Sequence, residues 1–339
     1  MKRILLLSIC LMLLLTGCGK QSKKNVAEDF IKKINTTKSY KLDGKMQIIG
    51  DEDTFNYSIE AYYLKDNYYK VVLVNETNNR EQIILRNEDG VYVVTPSLNK
   101  SFKFDSVWPE NSSQSYLLKS LVADIENDPK HEVIETNDGF IIKSSVNYPN
   151  NPDLKYQKIY LDKDNNITKT EVYNDKDQEK INVEFTNIDL KANLKPEDFK
   201  LENYVDQDTN SSCDDKTCDK KTGLLQDIVY PLYVPTNTYL TGKDEINNEE
   251  TSRVILTFTG EKNFVLIEEN ATAEEVFEII PVYGDPLMIN DTIGALGTNS
   301  IYFASGDKDY YLVSNDLTAS ELYNVASSLT NSSTVAATK

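Results

Sequence analysis

The chain has 339 residues, of which 54 are acidic and 36 are basic, and its formal net charge is −18 at pH 7. This acidity argues against a nucleic-acid-binding protein and against a polybasic grip on anionic lipid headgroups, and it suits a basic protein partner. The length predicts two domains, by the rule of about 150 residues for each.

The N-terminus has the pattern of a bacterial lipoprotein signal peptide. A short basic head (KR) precedes an apolar run over residues 4–15, which is shorter than the roughly 20 apolar residues of a membrane-spanning helix. The run ends in the letters LTGC, which have the form of a lipobox. We therefore predict a signal peptide over residues 1–17 and a polar tether over residues 18–25, lipidated on Cys18. The alternative is an ordinary signal peptide that contains a cysteine.

Two further cysteines, Cys213 and Cys218, lie in the polar stretch NSSCDDKTCDKK. Outside the cytoplasm, a close pair of this kind predicts a disulfide. The alternative is a metal site, but two thiolates with no histidine nearby make a poor zinc ligand set. We predict a disulfide here and no metal site.

Residues 26–202 are predicted to form a β domain. After one amphipathic helix, apolar and polar residues alternate from Ser39 to about Leu201, which is typical of strands with one apolar face. Turn sequences such as those at residues 162–166 and 174–177 separate the runs. A long antiparallel sheet with one apolar side must have that side covered.

The only helix predicted inside this β region covers Ser112 to about Asn127. Asn111, with Gln114 three residues later, matches a variant of the capping box that begins a helix. Five apolar residues repeat at helical spacing along the segment: Leu117, Leu118, Leu121, Val122 and Ile125. This apolar stripe is predicted to plug the sheet.

The stretch VWPENSSQSYLL, residues 107–118, supplies the candidate contact residues. Its tryptophan is the only one in the chain, and at a strand-to-helix corner it is either a core residue or an anchor for a partner. The hydroxyl and amide residues that follow it either start the helix or contact a ligand. The candidate partner- or ligand-binding residues are Trp108, Asn111, Ser112, Ser113, Gln114 and Tyr116.

The second half of the chain begins with a change of composition. Residues 203–222 are polar and are predicted to be a linker, and residues 331–339 are predicted to be a disordered tail. Residues 223–330 between them contain a second set of apolar runs and are predicted to form a smaller α+β domain. A final helix closes this domain, where Thr318 and Glu321 match a capping box and Leu317 can pack on Leu322.

The side-chain sets that most enzymes require are missing from the sequence. His131 is the only histidine, and the motifs GxSxG, HExxH, GxGxxG and the Walker A loop are absent, which argues against the nucleophile, metal and nucleotide sites that they form. The segment that starts at Asp162 opens like a calcium loop, but Ile167 and Tyr173 stand where that loop needs Gly and Glu. Carboxylate pairs for glycoside hydrolysis stay open, because acids are numerous. We predict a protein that is not an enzyme and that needs no cofactor.

Several stretches together resemble a known family. The lipobox, the long sheet, Trp108 to Leu118 and the stretch from Val146 to Asp162 resemble the clostridial germination lipoproteins, GerS and its relatives. More distantly, residues 25–202 resemble lipoprotein carriers and sigma-factor regulators of the LolA type. The segment from about 222 to 330 is similar to a small C-terminal domain of longer sporulation lipoproteins, which the short germination lipoproteins lack.

This resemblance implies a mainly β fold in which a LolA-like half-open antiparallel β-barrel is plugged by helices. It also implies a membrane-anchored, non-enzymatic lipoprotein of sporulation or germination that binds a protein partner, with a cortex-modifying amidase as the candidate. Such a protein would act on the extracytoplasmic face of a forespore or mother-cell membrane. The alternative is a carrier or sensor that holds a lipid or acyl chain in the half-barrel.

Overall fold

The computed structural model describes residues 23–50, 53–204, 225, 227–247, 252–271 and 277–330. The signal peptide, Cys18, the Cys213–Cys218 pair, most of the linker and the tail lie outside the described residues and stay predictions. Strands make up most of the fold. The elements are α1 (Lys23–Thr36), β1 (Ser39–Ile49), β2 (Thr54–Leu64), β3 (Tyr68–Asn75), β4 (Glu81–Asn87), β5 (Gly90–Thr95), β6 (Lys100–Phe104), α2 (Leu118–Asn127), β7 (Glu132–Glu135), β8 (Gly139–Ser145), β9 (Leu154–Asp162), β10 (Ile167–Asn174), β11 (Glu179–Asp189), β12 (Thr238–Asn247), β13 (Ser252–Gly260), β14 (Phe264–Asn270), β15 (Glu278–Val282), β16 (Gly284–Ile289), β17 (Thr292–Gly297), β18 (Ser300–Ser305), β19 (Lys308–Val313) and α3 (Ala319–Thr330).

The first sheet has 12 strands in the order β15-β6-β5-β4-β3-β2-β1-β11-β10-β9-β8-β7. All neighbours pair antiparallel except β15, which runs parallel to β6. The two end strands, β15 and β7, do not pair with each other, so the sheet stays open. Burial alternates along strands such as β1, because period-two alternation directs apolar side chains to the inner face. The predicted half-open antiparallel sheet is confirmed.

Two covers bury the inner face of this sheet. On one side, α1 and α2 insert Phe30, Ile34 and Leu121 into its core. On the other side, the second sheet contributes Ile293 and Tyr302 to the same core. The plugging role predicted for the helices is confirmed, and the second sheet completes the cover.

The second sheet has seven strands in the order β12-β13-β14-β19-β18-β17-β16. Its other face packs on α3, whose Leu322, Val325 and Leu329 are fully buried. The predicted capping box at this helix is confirmed, because the Thr318 N–H donates to Glu321 and the Glu321 N–H donates to the Thr318 hydroxyl. This sheet with its helix forms the predicted smaller α+β unit.

Polar contacts join the two sheets. The Lys100 ammonium on β6 lies 3.3 Å from the Asp309 carboxylate on β19, and both side chains are buried. The side chain of Gln82 on β4 accepts from the Ile293 N–H and donates to its C=O, like a short piece of strand. β15 comes from the C-terminal half of the chain but belongs to the first sheet. The two sheets therefore pack side by side, and we call the boundary between them the seam.

The structure corrects the helix predicted from Ser112. The helix α2 begins at Leu118, and its N-cap residue Leu117 makes no side-chain capping bond. The predicted cap fails because its polar groups bind elsewhere: the Asn111 amide donates to Asp285, and the Gln114 amide donates to Ser112.

Other corrections concern strands. The apolar run at residues 227–237, one of those predicted to contribute to the second domain, forms no strand. The alternation of apolar and polar residues does not reveal β7, β12, β16 and β17. The predicted turns at residues 162–166 and 174–177 are confirmed, with Asn165 and Asp177 in the left-handed region at φ of 57° and 58°.

Candidate functional site

A cleft of about 460 Å³ opens at the seam between the two covers. Its floor is the inner face of the first sheet at Met46, Ile48 and Ile84. One wall consists of the segment 108–116 and the β8–β9 connection, and the other consists of β16 and α3. The cleft therefore lies where neither cover closes the sheet completely.

The segment that carries the candidate residues is fixed to both sheets. The Ser106 hydroxyl and the Asn111 amide both donate to the Asp285 carboxylate on β16, at 2.5 and 2.7 Å. From β4, the Arg86 guanidinium donates to the backbone C=O groups of Val107 and Trp108 at 2.9 and 2.6 Å. These bonds make one wall of the cleft rigid although it lacks regular secondary structure.

Trp108 belongs to the core. Its side chain is 1% exposed and packs edge-on against the Tyr69 ring at 6.1 Å between centroids. Of the two interpretations that the sequence leaves open, the structure supports the core position, from which the indole borders the base of the cleft.

Four other candidate residues also line the cleft: Asn111, Ser112, Gln114 and Tyr116. The Tyr116 hydroxyl donates to the Gln114 side chain, so these two groups satisfy each other. The Oδ1 of Asn111 is different, because it is buried and has no hydrogen-bond partner among the described residues. An unmet acceptor of this kind costs free energy unless a donor reaches it. This oxygen has almost no accessible surface, so a ligand in the cleft would not reach it without a movement of the segment.

The sixth candidate, Ser113, lies beneath the cleft in a buried polar cluster. Its hydroxyl donates to the Asp124 carboxylate at 2.8 Å, and the Gln157 amide donates to the same carboxylate at 3.0 Å. Burial raises the pKa of Asp124 to about 7, although these two bonds oppose the shift. Burial also raises the pKa of Tyr148, which lines the cleft above this cluster. The cluster supports this wall of the cleft from behind, and the side chains of Ser113, Asp124 and Gln157 do not line the cleft.

Two apolar side chains are exposed near the contact in which the Asp105 N–H donates to the Val282 C=O. They are Tyr283, which is 79% exposed, and Val107, which is 56% exposed. Neither of them lines the cleft, and single exposed apolar residues are normal on protein surfaces.

Within the described ranges, no group of three or more His, Cys, Asp or Glu side chains is arranged to hold a metal ion. Within the same ranges, no helix has the length and apolar character needed to cross a membrane.

The sequence and its relatives then place the chain in a family. The family model for YdcC-like sporulation proteins matches residues 1–199. The sporulation protein YdcC of Bacillus subtilis (strain 168) is 33% identical over 327 residues, which cover 96% of this chain and 96% of that protein. The chain belongs to the YdcC-like sporulation protein family. It is therefore a sporulation-associated protein. The family model does not support the narrower likeness to GerS.

Solved structures with a similar fold include three from other bacteria. The MucA/MucB complex of Pseudomonas aeruginosa is 12% identical with a TM-score of 0.31, and the match covers 89% of this chain and 97% of that one. The CwlD amidase of Clostridioides difficile in complex with the GerS lipoprotein is 16% identical with a TM-score of 0.30, over 50% and 95% of the chains. A LolA superfamily protein from Nitrosomonas europaea is 10% identical with a TM-score of 0.31, over 52% and 98%. These likenesses say nothing about the ligand or partner of the YdcC-like chain.

The YdcC-like family model covers one wall of the cleft and not the other. Residues 1–199 include the segment 108–116 and most of the first sheet, whereas β16 and α3 come later in the chain. Sequence reasoning likewise missed Asp285, Met288 and Asn324 on that second wall, because nothing local in the sequence connects them to the first.

Proposed function

We propose that this YdcC-like chain is a lipid-anchored, non-enzymatic sporulation protein that acts by binding a protein partner in the seam cleft. The observation that carries the proposal is the cleft itself, in which a fixed polar wall and the strand β16 border an apolar floor. A polypeptide offers backbone N–H and C=O groups together with apolar side chains, which suits a cleft with this mixed lining.

The acyl-carrier alternative needs an empty apolar inner face. Most of that face is filled by Phe30, Ile34 and Leu121 from the helices and by Ile293 and Tyr302 from the second sheet, and the part at Met46, Ile48 and Ile84 stays open as the floor of the cleft. An acyl chain in the cleft would also lie against the polar wall formed by Asn111, Ser112 and Gln114, which suits it poorly. These two observations favour a protein ligand over a lipid.

The membrane anchor is part of the proposal. The letters LTGC predict lipid on Cys18, and α1 begins at Lys23, soon after that residue. We propose that the body is held close to the extracytoplasmic face of a forespore or mother-cell membrane. The sequence resemblance makes a cortex-modifying amidase the first partner to test.

The test is photocrosslinking in sporulating cells. A benzophenone amino acid replaces Asn324, which is exposed and lines the cleft. The matched control carries it at Lys163, which is exposed in the β9–β10 turn at the opposite end of the strands. We expect a covalent adduct with an envelope protein from position 324 and none from position 163. Equal adducts from both positions, or none from either, would contradict the proposal.

A second measurement separates partner binding from catalysis. The purified chain is incubated with cortex peptidoglycan, and we expect no soluble fragment to be released. Release of fragments by the chain alone would make it an envelope hydrolase.

The lipid alternative has its own measurement. Because most of the inner face is filled and the cleft has a polar wall, we expect native mass spectrometry of the unlipidated body, purified from cells, to show the mass of the polypeptide alone. A bound lipid that survives purification would overturn this expectation and favour the carrier.

A further inference from the structure

The strand β16 ends the second sheet and lines the cleft. It pairs with β17 on one side, and it is the last strand in the order of its sheet. Asp285, Pro286, Leu287 and Met288 all border the cleft. The free edge of a seven-stranded sheet therefore lies within a cleft already inferred to bind a partner.

The backbone groups of β16 that face this edge follow from the pairing. Ile289 and Thr292 flank the two-residue turn of the β16–β17 hairpin, so they form a hydrogen-bonded pair. The next pair, Met288 with Ile293, is then a non-hydrogen-bonded one, in which both residues direct their N–H and C=O groups away from each other. The Gln82 side chain binds the N–H and C=O of Ile293 on the side of β17 that faces away from β16, which agrees with this register.

The same alternation applies to every second residue of β16. Met288, Pro286 and Gly284 direct their backbone groups to the free edge. Pro286 has no N–H to offer, and a proline in this orientation is tolerated only where no ladder bond is needed. Gly284 does not line the cleft, so the edge within the cleft presents the N–H of Met288 and the C=O groups of Pro286 and Met288.

The space beside this edge has two faces of different character. On one side lies the floor of the first sheet with Met46 and Ile48, and on the other lies α3 with Asn324 and Ser327. Side chains of a strand point alternately to two faces. A segment added to β16 would place its apolar side chains against the floor and its polar side chains against the helix.

The charges of the cleft and of the whole chain indicate which kind of segment would bind beside β16. Asp153 and Asp175 are exposed at the cleft, where Lys176 and Lys180 also lie, and the whole chain carries a net charge of −18. A basic segment is attracted by that overall field.

We infer that the cleft takes an extended, basic segment of the protein partner as an eighth strand on the free edge of β16. This inference rests on the proposed function and specifies how the partner binds. Main-chain hydrogen bonds to an exposed edge supply the affinity in such complexes, and side-chain pockets supply the specificity.

The test uses two variants of the purified full chain and a defined probe. The probe is an array of short synthetic peptides that tile the extracytoplasmic proteins of sporulating cells. Met288→Pro removes both the Met side chain and the edge N–H, whereas Met288→Ala removes the side chain and keeps the N–H. We expect the peptides retained by the wild-type chain to be rich in Lys and Arg, and to bind Met288→Pro at least tenfold more weakly than Met288→Ala.

A second measurement needs no variant and covers the case in which Met288→Pro does not fold. Hydrogen exchange of the wild-type chain is followed with and without a retained peptide. The Met288 N–H should exchange at least tenfold more slowly with the peptide bound. The N–H groups of Leu287 and Ile289, which belong to the ladder with β17, should be protected in both states.

The outcomes separate this inference from the proposed function. Retained peptides that leave the Met288 exchange unchanged would overturn the added strand and leave partner binding in the cleft standing. Adducts from position 324 together with no retained peptide would also overturn it, because the partner would then dock by a folded surface. Loss of both the adducts and the retained peptides would remove the proposed function as well.

Discussion

Asp124 is a carboxylate with a structural role and an unusual titration. Burial raises its pKa to about 7, whereas in the unfolded chain an Asp titrates near 3.9. The folded state therefore binds more protons than the unfolded state between about pH 4 and pH 7, and stability falls as the pH rises through that window.

We expect Asp124→Asn to remove this pH dependence. The rise in pKa from about 3.9 to about 7 corresponds to about 4 kcal/mol, at 1.36 kcal/mol per pKa unit. Because Asp124 is only partly shielded from water, we take half of that energy. At pH 8 the variant should therefore be more stable than the wild type by about 2 kcal/mol. Urea unfolding at pH 4.5, 6 and 8 measures the difference, with the exposed Asp164→Asn as the control. Parallel curves for the wild type and Asp124→Asn would contradict the assignment.

Asp285 is the residue that fixes one wall of the cleft to the other. It accepts hydrogen bonds from Ser106 and Asn111, and bonds of this kind to a charged group contribute about 1.5–3 kcal/mol each. Because Asp285 is only half-buried, water can replace part of these bonds, so we expect Asp285→Ala to lower the free energy of unfolding by about 2 kcal/mol, which is less than the sum of the two, and to speed hydrogen exchange at residues 106–111. Exchange rates that match the wild type would show that the segment is held by Arg86 alone.

At the scale of single residues, the sequence predicts the residues of one wall of the cleft and not those of the other wall. Five of the six candidate residues line the cleft because they are close in sequence and their polar side chains follow one another. Asp285 and Met288 lie about 170 residues later in the chain. Long-range contacts such as the pairing of β15 with β6 bring them alongside, and no local pattern encodes those contacts.

The capping box of α3 is the element whose stability is easiest to test. Thr318 and Glu321 bond to each other's backbone N–H, and loss of such a cap costs about 1 kcal/mol. We expect Thr318→Ala to reduce the free energy of unfolding by that amount. Ser320→Ala, in the same first turn, is the control. A loss no larger than the control's would show that packing of Leu322 alone holds the helix end.

The elements that the sequence analysis missed share a physical cause. Nearly every residue of β12 is exposed, so this edge strand has no alternation to detect. The β16 and β17 sequences, GDPLMI and TIGALG, contain glycine and proline, which weaken a strand pattern. The start of α2 was misplaced because Asn111 and Gln114 have the side chains of a cap and use them for other contacts.

At the level of the whole molecule, the buried pair Lys100–Asp309 joins the two sheets. Removing one member of a buried pair leaves an uncompensated charge and costs about 3–5 kcal/mol. We expect Lys100→Met to destabilise the protein by that amount, and Lys100→Met/Asp309→Asn to recover a large part of it. Urea unfolding of both variants is the measurement, and we expect both sheets to unfold in a single transition. A separate early transition for one sheet would contradict this coupling.

The parallel strand β15 also has a consequence for how the protein is made. The first sheet includes a strand from residues 278–282, so it cannot be completed while only the first two hundred residues of the chain have been synthesised. Until then β6 presents a bare edge, which is a template for mispairing with other chains. Folding of this protein during its synthesis therefore passes through a vulnerable interval, and a shortened gene product that stops after Tyr204 would remain in it permanently.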